Sequence, residues 1–158
     1  MDHHDCLGED KVIRKSKEVK KVWGGEEAVI FRDGMVGKIM KLKEGFTSSN
    51  HCHRLKFESL LVLKGDVLFC LTDTKTGIET VYHMGPGDII DVHKNVPHRF
   101  IGVTDVEMAE FGIVEDDSTG ETDNYRFSSS RKMTSDEIHS LLSIAVGIFR
   151  LSGELLFS

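Results

Sequence analysis

Residues 45–65, GFTSSNHCHRLKFESLLVLKG, contain the pattern on which our interpretation of the fold depends. Side chains two residues apart in a β-strand point to the same face, so His51 and His53 can present two imidazoles side by side. Glu58 follows where a short turn would bring the chain back as a neighbouring strand, and His98 offers a fourth ligand in the later segment GPGDIIDVHKNVPHRF. Imidazole nitrogens with a carboxylate oxygen suit a divalent ion such as zinc, iron, manganese or nickel.

The same stretch resembles the first signature of the cupin superfamily. The spacing from Gly45 to Gly65 is G-x5-H-x-H-x4-E-x6-G, and the later segment contains the P-G-D and P-H elements of the second signature. Asn95 stands where cupins usually carry glycine, but asparagine also tolerates a left-handed backbone, so we expect the turn to form. The resemblance implies an all-β fold, a single double-stranded β-helix or jelly-roll-like barrel. It also implies a metal held by His51, His53, Glu58 and His98.

Three further segments are similar to the cupins that act on sugars. These segments are WGGEE at residues 23–27, VGKIMKLKEG at 36–45 and DNYRF at 123–127. The proteins they resemble include type II phosphomannose isomerase domains and small cupins found with sugar-nucleotide enzymes. The resemblance extends over roughly residues 19–127, and it implies a small-molecule substrate, a sugar or a sugar phosphate.

Composition limits the classes of function. The chain has 158 residues, 39% of them hydrophobic and 29% charged, with a net charge of −6. This length predicts one domain, and the acidity argues against a nucleic-acid partner. Three cysteines without a disulfide-framework spacing favour a reducing compartment. Because we find neither a signal peptide nor an apolar run of membrane-spanning length, we expect a cytoplasmic protein that does not bind a membrane.

The chain divides into three parts by composition. Residues 1–18 are predicted to be a disordered or basic lead-in, and residues 19–127 the barrel. Residues 128–158 are predicted to be a helical tail, because Thr134 and Glu137 have the spacing of a capping box before an apolar helical repeat. The last residues, GIFRLSGELLFS, are either packed on the barrel, buried in a dimer or poorly folded. Apolar tails and open sheet edges both favour burial, so we expect a homodimer.

Strand alternation predicts which side chains face the barrel interior. Lys38, Met40 and Leu42 share one face of a strand, and assigning that face to the interior places Lys38 in the lumen. A buried ammonium needs an anionic partner, either a substrate group or Glu110. In the alternative register, shifted by one residue, Lys38 is solvated. Phe100 lies on the face of His98 and is expected to line the lumen.

Two segments offer further candidate residues. Glu110 resembles a glutamate that many sugar cupins carry, which implies a general base or a group that supports the ligands; the alternative is a structural ion pair with Lys38. In the relatives, the segment at 123–127 closes over the barrel, which makes Tyr125 and Arg126 candidate contacts for a sugar or phosphate, or else a packing strut. The acidic stretch 115–123 is predicted to be a loop or lid. His93 competes with His98 as a ligand, but we assign it to the surface.

Three functions are compatible with these residues. The first is a metal-dependent sugar or sugar-phosphate isomerase or epimerase, similar to mannose-6-phosphate isomerase, with catalytic roles for Glu110, Glu58 and Lys38. The second is an iron-dependent dioxygenase, which needs open positions on the same metal. The third is a sugar-binding or regulatory barrel without catalysis. The complete ligand set disfavours the third function, and the sugar-cupin segments favour the first.

Overall fold

The computed structural model describes residues 15–115 and 123–147. Several predictions fall outside the described residues: the lead-in up to residue 14, most of the acidic loop and the apolar end after residue 147. The described chain folds mostly into β-strands, with one short helix near its C-terminal end. The predicted all-β class with a C-terminal helix is therefore confirmed.

Two facing sheets form the molecule. The first sheet has six strands in the spatial order β1-β2-β3-β11-β6-β9, and the second contains eight strands, with β12-β5-β10-β7-β8-β14 along its main path and β4 and β13 beside β10. All pairs are antiparallel except β14 with β8. The strands are β1 Lys17–Lys21, β2 Gly24–Arg32, β3 Met35–Leu42, β4 Phe46–Thr47, β5 His51–Cys52, β6 Lys56–Lys64, β7 Val67–Thr72, β8 Glu79–Met84, β9 Ile89–Val92, β10 His98–Gly102, β11 Val106–Val114, β12 Tyr125–Arg126, β13 Arg131–Lys132 and β14 Val146–Gly147.

The main core lies between the two sheets. Each strand of the first sheet alternates, so that one set of side chains meets the opposing sheet and the other faces outward. On β11, for example, Met108 is buried while Phe111 is exposed. The buried side chains of this core are Trp23, Met40, Leu42, Leu60, Val62, Val67, Phe69, Met84, Val92, Phe100, Val106 and Met108.

Glycine and aspartate shape the first hairpins. Asp33 and Gly34 turn the chain between β2 and β3, both with positive φ (52° and 76°), as expected for an Asp-Gly pair between two strands. Gly24 and Gly25 begin β2. A Cβ on Gly24 would lie 1.9 Å from the carbonyl oxygen of Lys41. Gly24 is thus required by the close approach of β2 to β3.

Helix α1, Ser135–Ile144, packs on the outer face of the second sheet. Thr134 accepts a hydrogen bond from the backbone N–H of Glu137, whose side chain accepts one from the N–H of Thr134, so the predicted capping box is confirmed. Ile138, Leu141 and Leu142 pack against a second buried cluster that includes Leu68, Val81 and Ile101. Among the described residues, no helix is long and apolar enough to cross a membrane.

Candidate metal centre

Three histidines meet in the space between the sheets. His51 begins β5, His53 follows it, and His98 begins β10, where it pairs directly with His51. One ring nitrogen from each imidazole lies within 4.8 Å of the others. The two ring centroids of His51 and His98 are 4.4 Å apart. The structure therefore brings together the histidines that the sequence pattern selected.

Backbone carbonyls fix the orientation of all three rings. The Nδ1 atoms of His51, His53 and His98 lie 2.8, 2.7 and 2.9 Å from the carbonyl oxygens of Ser49, Asp123 and Val96. A carbonyl oxygen only accepts, so each Nδ1 carries the proton and donates it. Each Nε2 is then left to face the cluster. A hydrogen bond from the second ring nitrogen is the usual way in which proteins orient a metal-binding histidine.

Glu58, the predicted fourth ligand, lies beside the group of three histidines, and its oxygens already have neighbours. Its Oε1 atom is 2.8 Å from Nε2 of His98, and its Oε2 atom is 4.0 Å from Nε2 of His53. Of these two contacts, that with His98 is short enough for a hydrogen bond. Burial alone would raise the pKa of Glu58, but the hydrogen bond from His98 and the charge of Lys56 outweigh burial and lower it.

Burial keeps two of the imidazoles neutral. Loss of hydration, followed by the charge of His98, lowers the pKa of His51 to about 3. Loss of hydration, followed by the charge of Lys56, lowers the pKa of His53 to about 4. Near neutral pH both imidazoles are therefore in the form that binds a metal without first losing a proton.

Asp123 holds the turn that carries His53. Its two carboxylate oxygens accept hydrogen bonds from the successive backbone N–H groups of Arg54, Leu55 and Lys56, at 3.0, 2.6 and 3.1 Å. Its carbonyl oxygen accepts the Nδ1 proton of His53. Asp123 is the first described residue after position 115. It thus fixes both the turn and the ring of His53.

Lys56 is a site residue that our sequence reasoning missed. Its ammonium group contacts Oε2 of Glu58 and donates to Oε1 of Glu110 at 2.8 Å, and the side chain is buried. Burial lowers the pKa of Lys56, but the charges of Glu110 and Glu58 outweigh burial and raise it above its usual value. The available signal was strand alternation, because Lys56 lies two residues before Glu58 on the same strand face.

His51, His53 and Glu58 line a cavity of about 320 Å³. Lys38 lines this cavity, 3.8 Å from a carboxylate oxygen of Glu26 and 4.0 Å from one of Glu110. Phe100 and Arg126 also line it. The complete lining among the described residues is Lys20, Lys21, Val22, Trp23, Glu26, Lys38, Met40, Ser48, Ser49, His51, His53, Lys56, Glu58, Phe100, Glu110, Asn124, Arg126 and Ser130.

Two other candidates lie away from the cavity. Tyr125 is not among its lining residues; the side chain is 47% exposed, and its hydroxyl accepts a hydrogen bond from Arg54 at 3.4 Å. His93 is exposed and contacts the ring of Phe57, with 5.2 Å between centroids. The adjacent turn does contain Asn95 at a φ of 62°, so the substitution of asparagine for glycine retains the left-handed conformation, as predicted.

The donor set fits a divalent ion. Three oriented imidazole nitrogens converge in a partly enclosed space with a carboxylate beside them, and nitrogen with oxygen ligands suits first-row transition metals and zinc. His51, His53 and His98 would hold the ion, with Glu58 beside them. The two-sheet fold and this cluster define a small antiparallel barrel with a candidate metal centre inside it.

Comparison with known proteins finds a family that shares this pattern. Residues 38–114 match the Cupin_2 family, described as the cupin domain. No curated protein matches the sequence.

Solved structures share the fold at low identity. The capsular polysaccharide assembling protein CapF of Staphylococcus aureus is 19% identical, with a TM-score of 0.63 over 74% of this chain and 33% of that chain. An oxalate decarboxylase from Bacillus subtilis is 18% identical, with a TM-score of 0.61 over 71% of this chain and 30% of that chain. This chain therefore spans only about a third of the length of those proteins. At such identity the likeness concerns the fold alone.

Proposed function

We propose that this protein is a metal-dependent isomerase or epimerase acting on a sugar phosphate or a similarly anionic sugar. The charge of the cavity is the observation that carries the proposal. Its lining holds five cationic and three acidic side chains, an excess of two positive charges among the described residues, although the whole chain has a net charge of −6. A positive cavity in an acidic protein favours an anionic ligand beside the histidine cluster.

Two cations suit the anionic group of the substrate. Lys38 is held only loosely, since its carboxylate neighbours are 3.8 and 4.0 Å away. Arg126 lies on β12, opposite His51, and its guanidinium can form a bidentate pair with a phosphate. Together they would orient a phosphate while the sugar carbons extend toward the histidines.

Glu110, which also lines the cavity, can carry the proton. Glu110 is buried, and Lys56 donates to its Oε1 atom, so Oε2 is the less tightly held oxygen. We assign to Oε2 the removal of a proton from the carbon next to the substrate carbonyl and its return at the neighbouring carbon. A divalent ion held by the cluster would polarise the carbonyl oxygen and lower the cost of removing that proton.

Metal content is the first test. Replacing both His51 and His53 by alanine should abolish stoichiometric binding of a divalent ion, measured by elemental analysis of the purified protein. His93→Ala is the matched control, because this exposed histidine should be replaceable without loss of metal. A double variant that keeps one ion per chain would refute the ligand assignment.

Proton exchange is the second test. Incubation with candidate sugar phosphates in heavy water should introduce deuterium at the carbon next to the carbonyl, detected by NMR. Glu110→Gln should stop the exchange without changing metal content, whereas Lys38→Met should mainly weaken binding. Glu107→Gln, on the outward face of the same strand, should exchange normally.

The alternative functions predict different results. Oxygen consumption with ferrous iron and a substrate, without any deuterium exchange, would replace the isomerase by the dioxygenase. Tight binding of a sugar phosphate without exchange or oxygen uptake would leave a binding protein. Both results would contradict the proposal.

A further inference from the structure

Lys56 is built into the site rather than bordering it. The side chain is only 7% exposed, and the two carboxylates that surround its ammonium group, those of Glu58 and Glu110, are 3% and 4% exposed. Burying a charge is costly unless it is paired, so the three groups stabilise one another inside the barrel. They form a buried acid-base-acid triad, defined here as Glu58, Lys56 and Glu110.

The neighbouring strands accommodate this lysine. Gly112 lies on β11 directly opposite Glu58, and a Cβ at Gly112 would be 3.2 Å from Cδ of Lys56. The missing side chain leaves room for the aliphatic stem of the lysine. The backbone N–H of Lys56 is bound to Asp123 at the other side. The position of the ammonium group is thus determined from three directions: by Gly112, by Asp123 and by the two carboxylates.

The triad and a divalent ion require the same carboxylate. Glu58 has two oxygens; Oε2 contacts the ammonium group of Lys56, and Oε1 faces His98. A metal ion at the histidines would therefore sit close to a fixed positive charge that already shares its acidic ligand, and like charges repel strongly where water is excluded.

We propose that Lys56 is a built-in counter-cation that competes with the divalent metal for Glu58 and so limits the affinity of the centre. This inference rests on the proposed metal function. In the metal-free protein, the ammonium group offsets one of the two negative charges of Glu58 and Glu110 and keeps the site assembled. When metal binds, Lys56 retains Glu110 and loses part of its interaction with Glu58.

The test is the metal affinity of variants without this charge. Full-length wild-type protein and Lys56→Gln, in which the amide still donates hydrogen bonds, are titrated with Mn²⁺ and Zn²⁺ by calorimetry with a competing chelator. We expect Lys56→Gln to bind both ions at least about tenfold more tightly. Lys38→Met removes a charge from the same cavity without a contact to Glu58, and it should change the affinity by less than about threefold.

Stability measurements provide a second readout. Without metal, Lys56→Gln should melt at a lower temperature than the wild type, because two buried carboxylates lose their counter-charge. Saturating Mn²⁺ should then raise its melting temperature by more than it raises that of the wild type. If Lys56→Gln does not fold, the double variant Lys56→Met/Glu110→Gln removes one of the unpaired carboxylates and should show the same tighter binding.

Two outcomes would overturn the proposal, and they are distinguishable. Unchanged or weaker metal affinity in a folded variant, with normal binding by the wild type, would show that Lys56 positions Glu58 instead of competing for it. The metal-dependent function would survive that result. If neither the wild type nor any variant binds Mn²⁺ or Zn²⁺, the proposed function fails, and the inference about Lys56 fails with it.

Discussion

The histidines at the centre of the barrel are polar groups largely removed from water, and each has a hydrogen-bond acceptor for its Nδ1 proton. In the unfolded chain these imidazoles are hydrated and have no fixed acceptor. The protonation equilibria of His51 and His53 therefore differ between the folded and unfolded states. This difference makes the stability of the metal-free protein depend on pH.

The direction of that dependence follows from the pKa shifts. Burial lowers the pKa of His51 from 6.5 to about 3 and that of His53 from 6.5 to about 4. Between these values and 6.5 the unfolded chain binds more protons than the folded one, so acid favours unfolding. Each histidine should cost about 1.4 kcal/mol per pH unit in that window. Urea unfolding of the metal-free protein should therefore show stability falling from pH 6.5 toward pH 4.

A matched variant separates this effect from general acid unfolding. His51→Gln/His53→Gln keeps a side-chain donor near each carbonyl but cannot gain a proton in this range. We expect its free energy of unfolding to depend less steeply on pH than that of the wild type. Equal slopes for the two proteins between pH 6.5 and pH 4 would contradict the shifts.

Single residues also show what sequence reasoning captures. The spacing of His51 and His53 and the left-handed tolerance of Asn95 follow from local chemistry, and the structure contains both features. Lys56 was missed although alternation places it beside Glu58, because a lysine is expected at the surface unless its partners are known. Its partner Glu110 is far away in sequence. The two residues come together in space only because of the register in which β6 pairs with β11.

At the scale of elements, the turn between β5 and β6 is held by a residue from a distant segment. The carboxylate of Asp123 accepts three backbone hydrogen bonds from residues 54–56. Because the acceptor is charged, these bonds are stronger than neutral ones. The turn connects His53 to Glu58, so its geometry determines whether both can reach one ion.

Removing this carboxylate should therefore affect both stability and metal binding. Asp123→Ala leaves three backbone donors without their acceptor, and we expect a loss of about 4.5 kcal/mol, at roughly 1.5 kcal/mol for each bond to a charged acceptor. Metal affinity should decrease at the same time. Asp105→Ala is the matched control: it removes one such bond, from the backbone N–H of Glu44, and should cost about 1.5 kcal/mol without changing metal affinity. Equal effects of the two variants on metal binding would refute the role of Asp123.

Elements differ in how far the sequence predicts them. The Asp33-Gly34 turn and the capping box of α1 are local signals, and both are present. The short strand β12 is different. Two residues give no alternation pattern, so the sequence could not tell that Arg126 lines the cavity whereas Tyr125 does not. Which of the two side chains faces the cavity depends on how β12 pairs with β5. In that pairing Tyr125 lies opposite Cys52, more than seventy positions earlier in the chain.

At the scale of the whole molecule, the outer face of the first sheet is apolar. On β11, Phe111 is 59% exposed and Ile113 is 62% exposed, and both point away from the core. Met35 pairs with Ile113 across the β3–β11 ladder, and Ile89 on β9 is exposed on the same side. Contiguous apolar surfaces of this kind usually mark a binding face in proteins that are not membrane-embedded.

We propose this face as the interface of the homodimer that the sequence predicts. A two-fold axis would place the apolar rows of Phe111 and Ile113 against their copies, which is the self-complementary arrangement that such symmetry requires. A stable interface needs about 800 Å² from each partner, a size that suits one sheet face. Phe111→Glu should therefore convert a dimer to a monomer in sedimentation experiments at micromolar concentration. Phe31→Glu is the control, because Phe31 is 79% exposed but pairs with Val36 in the inward-facing row. A wild-type monomer would contradict the prediction, and a dimer that survives Phe111→Glu would place the interface elsewhere.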